Sequence, residues 1–196
     1  MATVMTKLDA VNACLAAINE YRVTALDTNG TSIAGEAERY VDDATRYICA
    51  QGYPCNTRRA VSFAASASSP YEISLAALNP EVLRIKPVGN CAHRNIVIRG
   101  SKLYDADRST SSFQGQTVFL DVAELLDFVD LDPQLKEMVA KYAAQQFGRR
   151  TTQSQLSDAY ISQELAATEL ITPKTENFGT NFPIFSQQQP QQRQGQ

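Results

Sequence analysis

The spacing of apolar residues changes twice along this chain. In its first quarter and again after residue 130, apolar side chains recur every three or four residues, which is typical of helices. From about residue 58 to residue 122 they alternate in short runs, which is typical of strands. This order predicts an α+β fold: helices from both ends of the chain form one bundle, and an antiparallel β-lobe is inserted between them.

Two helices are predicted before the lobe. Helix one covers about residues 7–18, with Thr6 as its N-cap and Asn19 at its end, where asparagine tolerates the left-handed conformation. Helix two follows the N-cap candidate Ser32 and ends at Gly52. We expect one apolar face on helix two, made of these residues: Ile33, Ala37, Tyr40, Val41, Ala44 and Ile48.

Two further helices are predicted after the lobe. Asp132 and Pro133 form a favourable start for helix three, and Gly148 is expected to punctuate it. Helix four spans about residues 154–170 and ends before Pro173. Its apolar side consists of Leu156, Ala159, Tyr160, Ala167 and Leu170.

Six short alternating runs define the lobe, at residues 61–63, 71–75, 82–85, 96–98, 103–104 and 118–120. Residues 95–99 alternate, Gly100 and Ser101 can turn, and Leu103 and Tyr104 resume the pattern, which predicts a β-hairpin. The carboxylates that follow are interpreted as a solvated acidic linker into helix three: Asp121, Glu124, Asp127, Asp130 and Asp132.

The last stretch has no period yet retains four large apolar residues before a Gln-rich end: Phe178, Phe182, Ile184 and Phe185. Solvated tails are poor in such residues, so we predict a docking arm that binds a partner, with burial in the subunit's own core as the alternative. The predicted organisation is residues 1–57 and 130–172 for the bundle, 58–129 for the lobe and 173–196 for the arm.

Charge and composition exclude several classes of function. The net charge is −3, which argues against a surface that grips nucleic acid through many phosphates. No stretch approaches the roughly 20 apolar residues of a membrane span. The four cysteines lack the two-residue spacing of a zinc or redox motif and are expected to be reduced thiols.

No catalytic, cofactor or metal site is predicted. The single histidine, His93, lies in a probable loop near Cys91, and no Gly-x-Ser-x-Gly motif supplies a nucleophile. The acidic run lacks the ligand order of an EF-hand, and no glycine-rich phosphate loop is present. A small hydrolase that uses His93 remains the alternative from another functional class.

Several short motifs, taken in order along the chain, are similar to those of a known family. They are Ala10-Val11-Asn12 in helix one, Arg46, Ile48 and Gly52 in helix two, Arg99-Gly100 and Tyr104-Asp105 in the hairpin, Thr110 to Phe113 after it, and Lys141, Ala143, Gln146 and Phe147 in helix three. In this set the chain resembles the tail tubular protein A family, the adaptors or gatekeepers of short-tailed, autographivirus-type phages (podoviruses). The chain departs from the family after helix one, at Asn19 and Tyr21, and in its C-terminal arm.

The resemblance implies a structural virion protein and no catalysis. It implies a ring of twelve subunits between the portal protein and the tail nozzle protein, an outer surface for tail fibres, and a channel that DNA passes without specific binding. It also implies location in the virion tail after assembly in the host cytoplasm. A different head-to-tail joining protein with a similar helical core is the second alternative.

Overall fold

A computed structural model describes residues 5–27, 30–76, 78, 80–152, 163 and 166. Within these residues the fold is α+β, as predicted. The helices are α1 (Lys7–Ala17), α2 (Ile33–Ala50) and α3 (Pro133–Thr152), and the strands are β1 (Thr57–Ala64), β2 (Val82–Pro87), β3 (Ile96–Arg99), β4 (Lys102–Asp105) and β5 (Thr117–Glu124). Short 3-10 turns lie at Pro54–Asn56, Gly89–Cys91 and Phe128–Asp130.

Helix α1 has the predicted boundaries to within one residue. Thr6 is the N-cap: its hydroxyl accepts a hydrogen bond from the Asp9 amide at 3.2 Å, and the Asp9 carboxylate accepts one from the Thr6 amide at 2.8 Å. This reciprocal pair satisfies two amides that the first helical turn leaves without partners. Asn19 has φ 59° and ends the helix, as predicted.

Helix α2 also begins and ends as predicted. The Ser32 hydroxyl accepts a hydrogen bond from the Gly35 amide at 3.1 Å. Gly52 has φ 78°, which lets the chain leave the helix, and the next residue, Tyr53, is buried against Met138 of α3. Lys7 ties α2 to α1, with its Nζ 2.9 Å from Glu38 and 2.8 Å from Asp42.

Helix α3 begins at the predicted cap, where Asp132 Oδ1 accepts a hydrogen bond from the Gln134 amide at 3.0 Å. The expectation for Gly148 is wrong, because the helix continues through it to Thr152. A Cβ atom at Gly148 would lie 3.7 Å from Cβ of Ala17 in α1. The glycine therefore marks a close approach of two helices and not a helix end.

The three helices share one hydrophobic core. Its fully buried members include Val11 and Leu15 of α1, Val41 and Ile48 of α2, and Phe147 of α3. A second cluster fills the lobe, with Leu103, Phe113, Val118, Leu120 and Val122 among its buried residues. Such burial stabilises the fold by about 25 cal/mol for each Å² of apolar surface removed from water.

The lobe contains two antiparallel sheets. One has the strand order β1-β5-β2, and the other is the predicted β3–β4 hairpin, in which Arg99 pairs with Lys102 around Gly100 and Ser101. Gly100 has φ 63°, as a two-residue hairpin turn requires. The run at residues 71–75 does not form a strand. An isolated bridge from Ser74 to Lys102 and an ion pair from Glu72 to Lys102 connect it to the hairpin.

Predicted helix four lies outside the described residues except for Gln163 and Ala166, which are helical and exposed. The predicted arm at 173–196, including Phe178, Phe182, Ile184 and Phe185, lies wholly outside them.

Candidate interaction surface

His93 is exposed, in the turn that follows the Gly89–Cys91 segment. The neighbouring Cys91 is buried, and its Sγ lies 3.2 Å from Oδ1 of Asn90. In the part of the chain that the structure describes, no three His, Cys, Asp or Glu side chains are grouped so that they could hold a metal ion.

The interpretation of the acidic run as a solvated linker is wrong for its first two members. Asp121 and Glu124 are buried in β5, the central strand of the three-stranded sheet. Oδ1 of Asp121 accepts a hydrogen bond from the Ala60 amide at 2.8 Å, where β1 bulges and Ala60 has φ 50°. Glu124 forms an ion pair with Arg58. These carboxylates therefore join β1 to β5.

A buried ion pair in the lobe escaped the sequence analysis. Asp105, at the end of β4, is inaccessible to solvent, and its Oδ2 accepts a hydrogen bond from Nε of Arg94 at 3.0 Å. Oδ1 accepts the amides of Asp107 and Arg108 at 3.1 and 3.2 Å, and Nη1 of Arg94 donates to Gln116 at 2.7 Å. Burial alone would raise the pKa of Asp105, but the hydrogen bond from Arg94, the amides of Arg108 and Asp107 and the charge of Arg94 together outweigh it and hold the pKa below its ordinary value.

The outer side of α2 is more exposed than its sequence pattern predicts. Ile33 was expected on the apolar face but is 51% exposed, and Tyr40 is only half-buried. Tyr47, two helical turns after Tyr40, is 43% exposed. These three residues are spaced by seven, so they lie along one line of the helix beside its buried sector. We call this line, together with Glu36 and Asp43, the outer face of α2.

Two aromatic contacts fix this face against α3. Tyr47 stacks on Tyr142, with ring centroids 4.7 Å apart and an angle of 8° between the planes. Tyr40 meets Phe147 edge to face at 5.4 Å. The Tyr40 hydroxyl also accepts a hydrogen bond from Nη1 of Arg150 at 3.2 Å. The aromatic side chains are therefore held in place before any partner arrives, which reduces the entropy that binding costs.

Two depressions of about 460 Å³ each open along the outer face. The first lies between α2 and the lobe and is crossed by the ion pair of Arg46 and Glu81, whose Nη1 and Oε2 are 2.9 Å apart. Val82, Leu83 and Ile98 supply its apolar lining. The second lies at the start of α2, between Ile33 and Arg150, and Asp43 lines both. Both depressions border the outer face of α2, and we refer to the two together as the trough.

Aromatic and apolar side chains held in a preformed trough with a charged rim are typical of protein–protein contacts. Other exposed apolar side chains stand apart from the trough, notably Tyr21 at 92% and Val129 at 74% exposure. The residues predicted to bind partners, in the arm, lie outside the described part of the chain, so the structure does not test them.

None of the described helices is both long enough and apolar enough to cross a membrane. No curated protein matches the chain. A family model described as tail tubular protein matches residues 8–179, which include all of the described helices and strands except the first residue of α1. The chain therefore belongs to the tail tubular protein family and is a structural protein of a phage tail.

Proposed function

We propose that the protein is the adaptor of a short-tailed phage, forming a ring of twelve subunits that joins the portal protein to the tail nozzle protein. The single observation that supports this most is the family match, because it extends through both helical segments and the whole lobe. The ring supports tail fibres on its outside and leaves a central channel through which DNA leaves the head. It is assembled in the host cytoplasm and has no catalytic role.

Within the subunit we propose three structural units. Residues 1–57 and 130–172 form the bundle, 58–129 form the lobe, and 173–196 form an arm that docks on a neighbour or the portal through Phe178, Phe182, Ile184 and Phe185. Separate buried clusters in the helices and in the lobe support the first two units. The net charge of −3 suits a channel that DNA passes without binding.

Co-purification with the portal protein, followed by imaging, tests the proposal. A ring of twelve copies bound to the portal is the expected result. The free chain should first be sized alone, since a 21.5 kDa monomer and a large ring separate clearly. A monomer that assembles only on the portal agrees with the proposal.

A stable complex with some other virion protein and none with the portal would instead identify a different head-to-tail joining protein. The hydrolase alternative has no specific observation in its favour, since His93 is an exposed turn residue beside a buried thiol.

A further inference from the structure

The three-stranded sheet of the lobe has two unlike faces. On one face every second residue of β5 is buried in the lobe cluster: Val118, Leu120 and Val122. Because side chains alternate along a strand, Phe119 and Asp121 lie on the opposite face. Ser62 of β1 pairs with Phe119, and Lys86 of β2 pairs with Asp121, so both share that second face.

The second face is basic. Arg59 and Arg84 lie on the same side of the sheet as Lys86, by the alternation of β1 and β2. Arg59 is exposed, and the other two are half-buried. The carboxylate on this side, Asp121, is buried and already accepts a hydrogen bond from the Ala60 amide. We use the name basic sheet face for the surface made of these residues: Arg59, Ser62, Arg84, Lys86 and Phe119.

The outer face of α2 has the opposite charge. Glu36 and Asp43 are exposed beside its line of apolar side chains. The helix carries four carboxylates and two arginines, and one of these, Arg46, is paired with Glu81. Arg150 of α3 lies 3.9 Å from Glu36, near the limit of an ion pair. Carboxylates beside exposed tyrosines form a surface that a basic surface complements.

The two faces lie on different sides of the subunit and have similar lengths. Ile98 and Gly100 line the depression between α2 and the lobe, so the outer face of α2 borders the side of the sheet on which the hairpin packs. The basic sheet face lies on the other side. The 18 residues of α2 extend about 27 Å, and the 8 residues of β1 or β5 about 26 Å. A subunit can therefore meet one neighbour with each face.

We infer that the basic sheet face of one subunit docks on the outer face of α2 in the next copy of the chain. The basic side chains then meet the carboxylates of Glu36 and Asp43. Their aliphatic stems and Phe119 lie against Tyr47. Contact between different patches on identical chains builds a ring when the rotation closes. The inference rests on the proposed self-assembly, and it adds the surfaces that meet.

Charge reversal on each face of the full chain tests the contact. The helix variant carries Glu36→Lys and Asp43→Lys, and the sheet variant carries Arg59→Glu and Ser62→Glu, all at exposed positions. Each variant brings like charges together in every contact of the ring, so we expect the yield of portal-bound rings to fall by about tenfold or more. The chain with all four substitutions restores opposite charges, with their signs exchanged, and should assemble.

Two controls accompany these variants. Glu20→Lys with Glu137→Lys changes the net charge by as much as the helix variant does, at exposed carboxylates away from both faces, and should assemble normally. The melting temperature of each free subunit is compared with that of the unaltered chain. We expect it to be nearly unchanged, which separates a lost contact from a lost fold.

Three outcomes contradict the inference. Normal yields of portal-bound rings from the helix and sheet variants would overturn it and leave the proposed function standing. Loss of assembly in both variants without rescue in the combined chain would also overturn it, since the two faces would then serve other partners. If the unaltered chain never assembles with the portal, the proposed function fails and the inference fails with it.

Crosslinking in the assembled ring gives a second measurement that leaves the charges of the sheet unchanged. In a Cys55→Ser background, which removes the one exposed native thiol, chains carrying Ser62→Cys are mixed with chains carrying Asp43→Cys. A short bismaleimide should join the two kinds of chain, as identified by peptide mapping. Tyr21→Cys, at a residue 92% exposed and outside α2, replaces Asp43→Cys as the control and should not be joined. Equal crosslinking of the control would contradict the contact.

Discussion

Asp105 and Arg94 form a charged contact in the lobe that is well protected from water, since the side chain of Asp105 is inaccessible and that of Arg94 is 11% exposed. Removing one partner of such a pair leaves the other charge buried without compensation. We therefore expect Asp105→Asn to lower the free energy of unfolding by about 3 kcal/mol at neutral pH. Chemical denaturation followed by circular dichroism measures this.

The sign of its pH dependence follows from the lowered pKa of Asp105. The carboxylate stabilises the fold above its unfolded-state pKa of about 3.9, and this contribution is lost as the pH falls through the lower folded-state pKa. The difference between the wild type and Asp105→Asn should therefore shrink below about pH 4. Glu81→Gln is the control, because the Arg46–Glu81 pair is more than half exposed and its loss should barely change stability.

His93 is expected to be dispensable. It is the single histidine of the chain, and it lies exposed in a turn with no nucleophile motif around it. His93→Ala should leave virion assembly and infectivity close to normal, as measured by plaque counts with a phage that carries the substitution. A severe loss in a variant that still folds would revive the hydrolase alternative.

At the scale of the element, the end of α2 depends on Gly52. Its φ of 78° is one that a side chain with a Cβ adopts at a cost of about 1–2 kcal/mol. Gly52→Val should lower the melting temperature clearly, and Gly52→Asn should lower it less, because asparagine visits this conformation more readily. Equal losses would mean that the space around this buried glycine, and not its backbone angle, sets the cost.

Element boundaries set by local chemistry could be predicted from the sequence. Thr6, Ser32 and Asp132 cap their helices by hydrogen bonds within three residues, and Gly100 turns a hairpin two residues long. Features set by distant neighbours could not be predicted. Glycine is the residue type that most often ends a helix, but α3 continues through Gly148, which lies against Ala17 of α1.

The same distinction explains the other errors. Residues 71–75 alternate like a strand, but Tyr71 has φ 55°, which is outside the extended region, and Ser74 forms an isolated bridge rather than a ladder. Asp121 begins an acidic run that is typical of a linker, but it is buried because β5 lies between two other strands. Ile33 has the period of a core residue, but about half of it stays exposed. The candidate surface on α2 therefore became visible only once the helices were packed.

At the scale of the whole molecule, most of the arm lies outside the family match. The match ends at residue 179, so Phe182, Ile184 and Phe185 lie beyond what the chain shares with the family model. Deleting residues 177–196 keeps all of α1, α2, the lobe, α3 and the segment at 154–170. The deletion therefore distinguishes a docking arm from residues that complete the subunit's own core.

We predict that this deletion leaves the melting temperature of the free subunit nearly unchanged and abolishes portal binding. Each large side chain that the arm buries in an assembly contributes about 1.5–3 kcal/mol, and the contribution is repeated in every subunit. Calorimetry and co-purification with the portal measure the two effects. Removal of residues 187–196 alone, which takes only the Gln-rich end, is the control and should preserve binding. A large fall in melting temperature, with portal binding retained by the folded fraction, would assign Phe178, Phe182, Ile184 and Phe185 to the core of the subunit.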